Sequence, residues 1–248
     1  MSESILTSKS GSPGRSAVTI FITVHNDGHF LDESLGSALE VQQAMATTDG
    51  PNVDVKVFDD GSTDSRTCEV LDRVARRNIE VTRLPHRGLA ATRNTALASV
   101  PTEFFVPLDA DNRVRDEMLT ELVPLLLDDP DAGAAYGDAM RFGDVTGRWT
   151  MGPTDETLIQ SVNHIDSCAL YRTAAVERIG SYRADLLGHE DWDLWLRFLD
   201  AGVGIIYSPV ITFDYRVRPE SLIRRLLAPI YQLAPTRHGA SPVGGQLP

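Results

Sequence analysis

The chain has 248 residues, 42% of them hydrophobic, with 35 acidic against 23 basic side chains and a net charge of −12. That suffices for one large domain, or two small ones sharing a core. The acidic field opposes association with nucleic acid or an anionic bilayer, which select basic surfaces. The uncharged run 201–213 falls short of the ~18 residues that cross a bilayer, so no membrane span is expected. The Ser-rich stretch 1–16 lacks the apolar core of a signal peptide, which predicts a disordered N-terminal tail and a cytoplasmic protein. Two isolated cysteines, Cys68 and Cys168, make neither a disulfide framework nor a metal-binding pair. Lysine occurs only at Lys9 and Lys56, and neither sits in a P-loop motif.

In chain order, Val18–Val24 alternates as a strand and a helix is predicted over Leu31–Met45. Val53–Phe58 is a second strand. It runs into the turn Asp59-Asp60-Gly61-Ser62-Thr63-Asp64 and a helix over Cys68–Arg77, with Val70, Leu71 and Val74 on one face. Ile79–Leu84 reads as a strand, Leu89–Ala98 as a helix, and Glu103–Leu108 as a strand ending in Asp109-Ala110-Asp111. Four strands alternating with three helices predict an α/β protein with a mostly parallel, doubly wound sheet. The second half is less regular: a helix over Glu117–Leu127, a strand over Ala134–Phe142, and short apolar stretches at Arg148–Met151 and Ser167–Tyr171. An amphipathic helix over Glu190–Ala201 then presents Trp192, Trp195, Leu196 and Leu199 to a core. Pro235–Pro248 has no apolar period and is expected to be a disordered tail.

In an open parallel sheet, ligands bind outside the carboxyl ends of the strands. Three polar clusters fall there: Thr23-Val24-His25-Asn26, Asp59-Asp60 and Asp109-Ala110-Asp111. Strand alternation aims Asp109 and Asp111 to one side, where they could share a hard divalent cation that also holds a diphosphate; a turn or helix cap is the plainer reading of each Asp pair. Glu190, Asp191 and Asp193 suit the positive end of a helix, and Asp193 can pair with Arg197 on its surface. Beside Trp192, however, a carboxylate at 190–191 could be partly desolvated and serve as a general base. The six histidines show no zinc-ligand spacing.

Taken in order, TVHN, DDGSTD, RGLAATRN, PLDAD and GHEDWDLWLR resemble the motifs of family-2 glycosyltransferases of the GT-A fold, over Val18 to Ser221. The resemblance implies a single GT-A domain over 17–234, with a nucleotide-binding half at 17–112 and a smaller mixed acceptor-binding half at 113–234. It implies inverting transfer of a sugar from a nucleotide-diphosphate donor, UDP-linked by default, to an acceptor hydroxyl, assisted by Mn²⁺ or Mg²⁺. Thr23, His25, Asn26, Asp59 and Asp60 match nucleoside-holding positions, and Arg93 one that contacts base or phosphate. Asp109 matches a ribose or metal contact, Asp111 the metal ligand, Asp191 the catalytic base, and Glu190 its neighbour supporting the acceptor. Tyr215 to Ser221 resembles a flexible loop closing over the diphosphate, with Arg216 or Arg218 compensating charge. The chain departs from the usual first motif, so that His25 would stack on the base where Tyr is common, and His86 stands where Asn is common. The acceptor, whether glycan, lipid carrier, natural product or protein, is not legible, and a homodimer is merely the commonest oligomer. A non-catalytic nucleotide-sugar-binding module is the main rival reading. A sugar nucleotidyltransferase is a weaker one, because no Gly-rich loop with Lys follows the first strand. A dinucleotide dehydrogenase fails because Gly202-Val203-Gly204 follows a helix and lacks a third Gly.

Overall fold

The computed structural model describes residues 17–48, 50–186 and 188–219. Ala17–Val24 (β1) and Asn52–Asp60 (β2) flank helix Gly28–Thr47 (α1). Ser65–Ala75 (α2), Glu80–Leu84 (β3), Leu89–Ala98 (α3) and Phe104–Asp109 (β4) complete the alternating half. α1 buries Leu31, Leu35, Ala38, Val41 and Met45, the i, i+3/i+4 stripe of a helix facing a sheet. α2 starts where the Asp64 carboxylate accepts the Thr67 N–H at 2.8 Å, an N-cap that meets one of the orphan donors of the first turn. α1 begins against that same turn: Gly28 N–H donates to Thr67 Oγ1 at 2.9 Å, and a Cβ at Gly28 would lie 2.5 Å from Thr67 Cα.

The remaining elements are Arg113–Val114 (β5), Glu117–Thr120 (α4), Leu122–Asp128 (α5), Ala132–Gly143 (β6), Gly147–Trp149 (β7), Glu156–Ser161 (α6), Leu170–Arg172 (β8), Thr173–Arg178 (α7), Glu190–Asp200 (α8) and Gly204–Val217 (β9). Among the described residues they form one sheet of order β3-β2-β1-β4-β8-β6-β9-β5, with β7 pairing β6. β3, β2, β1 and β4 are parallel. β8 runs antiparallel to both β4 and β6, and β6 pairs β9 in parallel. The doubly wound expectation therefore holds for the first four strands and gives way to a mixed sheet beyond β4. The buried core is continuous across both parts, from Val18, Ile20, Phe21 and Ile22 through Phe104 and Phe105 to Leu170, Tyr171, Trp195 and Phe198.

Two expectations need correction, and one strand went unforeseen. The helix predicted over Glu117–Leu127 is two helices broken at Glu121, because Pro124 has no N–H to offer the Thr120 carbonyl and its ring crowds that position. The apolar stretch 201–213 belongs largely to β9, the longest strand among those described. Pro209 had disguised it, and the register with β6 shifts there, between Tyr136↔Tyr207 and Asp138↔Ile211, as expected where a proline interrupts a ladder. Tyr215, Arg216 and Val217, expected in a loop, are the end of β9, paired with Arg141, Phe142 and Gly143. The predicted tails at 1–16 and 235–248, and Ser221, lie outside the described residues.

Candidate active site

The parallel strands β2, β1 and β4 are adjacent, with Val24 opposite Asp59 and Thr23 opposite Asp109. Their carboxyl ends therefore deliver Thr23, His25, Asp59, Asp60 and Asp109 to one crevice, the place where an open α/β sheet binds ligands. Thr23 Oγ1 donates to Asp109 Oδ1 at 3.4 Å. Asp59 accepts the Ser62 N–H at 3.0 Å, which folds the chain back after β2. Asp60 is buried, and its two oxygens accept the N–H groups of Arg87 (2.8 Å) and Gly88 (3.0 Å). Gly61 permits this fold, since its φ is +65° and a Cβ there would stand 2.5 Å from His86 N.

His25 and His86 stack, ring centroids 4.1 Å apart and planes 20° from parallel. Both Nδ1 atoms face Asp60, that of His25 at 2.7 Å from its carbonyl and that of His86 at 2.9 Å from Oδ2. Together the three side chains bring potential ligand atoms within 4.8 Å of one another, which the linear spacing of the histidines had not suggested. Asn26 Nδ2 lies 3.1 Å from His25 Nε2 and donates to it, which leaves His25 Nδ1 as the donor to Asp60 O. Asn26 itself takes a left-handed φ of 55°, and its Oδ1 accepts the Thr63 and Asp64 N–H groups, each at 2.9 Å. It thus ties the ends of β1 and β2 together.

Asp111 follows β4 by two residues, and burial together with Asp109 pushes its carboxyl up to about 6, against the opposing pull of Arg218. Arg218 Nε lies 2.7 Å from Asp111 Oδ2, and its two terminal nitrogens grip Asp27 at 2.8 and 2.6 Å. Arg216 donates to Asp111 O (3.0 Å) and Glu33 (2.7 Å), and its guanidinium lies over the rings of Phe30 and Phe142. β9 and the residue just beyond its end thus bring two arginines, Arg216 and Arg218, to the rim of the carboxylate pair.

The residue that joins the two halves is Arg93. It is 1% exposed and donates to Glu190 Oε1 (2.8 Å), Asp109 Oδ1 (2.9 Å) and Ser167 Oγ (3.0 Å). The two terminal nitrogens of Arg93 are satisfied from inside the protein, its Nε is buried without a partner, and Glu190, also buried, is its main counter-charge. The two side chains are thus turned toward one another beside Asp109. Asn94, the next residue, exchanges two hydrogen bonds with the Tyr182 backbone, so α3 anchors the segment leading into α8.

Asp191 lies in the first turn of α8, beyond His189, whose φ of 59° is left-handed. Burial, then the neighbouring Glu190, raise its pKa above the usual carboxylate range; Arg93, the Trp192 N–H and the Asn163 amide pull the other way. Asp193 pairs with Arg197 at 2.8 Å on the helix surface, as expected. Asp166 is a further carboxylate of this cluster, pushed up to about 8 by burial and by Asp109. Asn163, Asp166 and Ser167 lie in the irregular stretch 162–169. No periodicity or motif marks them, and Asp27 and Glu33 carried no signal beyond ordinary helix-start acids.

Comparison with known proteins gives the chain a class. The sequence matches the family model described as Glycosyl transferase family 2 over residues 19–180, and the chain belongs to that family. That membership makes it a glycosyltransferase by class. A curated relative, the pre-mycofactocin glycosyltransferase of Mycobacterium tuberculosis (strain CDC 1551 / Oshkosh), is 28% identical over 229 residues, covering 86% of this chain and 46% of the relative. The chain thus spans about half the length of the curated relatives it matches. S. aureus TarS 1-349 in complex with UDP-GlcNAc superposes with a TM-score of 0.65 at 18% identity, covering 84% of this chain and 60% of that one. The mannosyltransferase PcManGT from Pyrobaculum calidifontis, in complex with GDP-Man and Mn²⁺, gives 0.62 at 21%, covering 93% and 67%. These likenesses bear out the α/β, GT-A-like fold. Among the described residues no helix is long and apolar enough to cross a membrane.

Proposed function

We propose that this chain moves a sugar from a nucleotide-diphosphate donor to an acceptor hydroxyl by single displacement with inversion, Asp191 acting as general base. The observation that carries the reading is Arg93, whose guanidinium bonds Asp109 at the end of β4 and Glu190 at the start of α8. One buried side chain thereby fixes the two ends of the site, so that a diphosphate at Asp109 and Asp111 and a base at Asp191 would flank one sugar. In this reading Arg93 and Glu190 organise the site from behind.

The nucleoside would lie over β1 and β2, against the exposed His25–His86 stack, with Thr23, Asn26, Asp59 and Asp60 shaping that end. Asp109 and Asp111 suit a hard divalent cation, Mn²⁺ or Mg²⁺. They are oxygen donors at a strand end, close enough that Asp109 raises the pKa of Asp111, and cationic Arg218 already answers that charge. When bound, such a cation would offset charge on the diphosphate leaving group. Arg216 and Arg218 add cationic groups on the same side. Asp191, held in a partly desolvated place that makes it a stronger base than a surface carboxylate, would take the acceptor proton as the oxygen attacks the anomeric carbon. The complexes of structural neighbours with UDP-GlcNAc, and with GDP-Man and Mn²⁺, support a nucleotide-sugar donor.

The test is thermal-shift titration of the purified chain with UDP, GDP and dTDP, each with and without Mn²⁺. A nucleotide at a hundredfold excess over its Kd stabilises the fold by about 2.7 kcal/mol, and that gain is expected for one nucleotide and in Mn²⁺. No stabilisation by any of the three in either condition would overturn the donor site. Stabilisation without any release of nucleotide from UDP-GlcNAc or GDP-mannose would favour the non-catalytic binding module.

A further inference from the structure

We propose that Asn163 is a positioning residue for Asp191, its amide holding one carboxylate oxygen so that the other is left to face the acceptor hydroxyl. This rests on the reading of Asp191 as base. Asp191 Oδ1 accepts two hydrogen bonds, from the Trp192 N–H at 2.8 Å and from Asn163 Nδ2 at 3.2 Å. No protein donor to Oδ2 is present among the described residues. Because an ionised carboxylate can only accept, the Asn163 amide must turn its NH₂ toward Asp191, and this leaves its Oδ1 buried without a partner. A buried amide oxygen without a hydrogen bond is costly, and it is tolerated here where the other half of the same group grips the proposed base.

The segment that carries Asn163 is stapled in place. Trp192 Nε1 donates to Ile159 O at 2.6 Å, Trp195 Nε1 donates to Ile165 O at 3.2 Å, and Arg93 Nη2 donates to Ser167 Oγ at 3.0 Å. Two indoles of α8 thus hold the backbone on both sides of Asn163, and the buried arginine of α3 holds the Ser167 side chain. The amide is therefore presented to Asp191 from a fixed frame rather than from a free loop, as a preorganised site requires.

The charged and titratable groups around Asp191 are Glu190 on its own helix, Arg93 of α3, Asp166 of the stretch entering β8, Tyr171 of β8, Tyr182 before α8 and Tyr215 of β9. Glu190 favours the protonated form of Asp191 and Arg93 the ionised form. Asn163 sides with Arg93, since a hydrogen bond to the ionised carboxylate stabilises it. Loss of the amide must then raise the pKa of Asp191, so that the base is ionised only at higher pH.

The experiment compares wild type with Asn163→Ala and Asn163→Leu, the second keeping the branched side-chain shape without its hydrogen-bonding groups. The Asp191 carboxyl carbon is titrated by NMR, its resonance assigned by its loss in Asp191→Asn. The pH profile of nucleotide release from UDP-GlcNAc and GDP-mannose with Mn²⁺ is measured in parallel. Both variants are expected to move the Asp191 midpoint, and the acidic limb of turnover with it, up by about one pH unit. Nucleotide affinity by calorimetry should be unchanged. An unmoved midpoint in both folded variants overturns the positioning role, as does an activity loss that tracks nucleotide affinity at every pH. Retention of turnover in Asp191→Asn would instead overturn the base reading, and the two failures are thereby distinguished.

Discussion

Replacing Arg93 with methionine tests the organising ion-pair network. The substitution keeps roughly the length of the side chain and deletes the guanidinium, so it removes the three bonds to Glu190, Asp109 and Ser167. The damage is concentrated at Glu190, whose side chain is 7% exposed and would become a buried charge without its cation. Asp109, with 34% of its side chain exposed, can turn to water and contributes less. Breaking a buried pair by removing one partner costs about 3–5 kcal/mol. For a chain of this size that is a fall of about 6–10 °C in Tm, and the cost is a large part of the ~5–15 kcal/mol that holds a typical domain folded. The assay is urea unfolding followed by tryptophan fluorescence, with Glu190→Gln and the double variant completing a cycle. Neutralising Glu190 in the Arg93→Met background should recover part of the loss, because the uncompensated charge is its main source. A cost below about 1 kcal/mol, or a double variant no better than Arg93→Met, would refute the idea that the pair is a desolvated, mutually dependent unit.

Three other outcomes are expected. Asp166 has a folded pKa of about 8 against an unfolded value near 3.9, so the native state holds its proton more tightly and this contribution to stability declines as pH rises from about 4 to 8. Asp166→Asn removes that decline, and its advantage in Tm over wild type should widen across that window; a constant difference would contradict the assigned shift. At Gly133 a Cβ would stand 2.3 Å from Val203 Cγ1 and 3.0 Å from Ala175 Cβ, so Gly133→Ala should cost about 1–3 kcal/mol in chemical denaturation. Adding Val203→Ala should return part of that cost, less what Val203 loses by truncation; equal costs for the single and double variants would show that the site yields another way. Asp111→Ala should abolish the Mn²⁺-dependent part of nucleotide affinity measured by calorimetry, and equal Mn²⁺ dependence in both proteins would remove Asp111 from the metal site.

The alternating half of the fold was readable because its physics is local. β1 and β4 are apolar runs between breakers, and α3 begins and ends where its pattern does, at Leu89 and Ala98. The sheet beyond β4 was not, since β8 has three residues and gains its place from pairing with Phe104, Phe105, Ala134 and Ala135, far away in sequence. β9 was hidden by Pro209, which argues against a strand in any single-sequence reading, although its partner β6 tolerates the close approach through Gly137. In the site, Asp59, Asp60, Asp109, Asp111 and Asp191 were visible as polar residues at element ends. What no spacing could show is which of them share a partner. Arg93 meets Glu190 across 97 positions of chain and Asp109 across 16, a convergence that exists only in the folded chain. His86 was noticed as an unusual residue, yet its stacking on His25 depends on the turn at Gly61 and is a property of the folded chain.

The central claim is that Asp191 is the base for a sugar held between it and the Asp109–Asp111 pair. Its most direct measurement is nucleotide release from UDP-GlcNAc and GDP-mannose with Mn²⁺ by wild type and Asp191→Asn, alongside nucleotide affinity for both. Turnover is expected in the wild type, with a loss of about 10²–10⁴-fold in the variant and the same nucleotide affinity in each. Undiminished release by Asp191→Asn would contradict it.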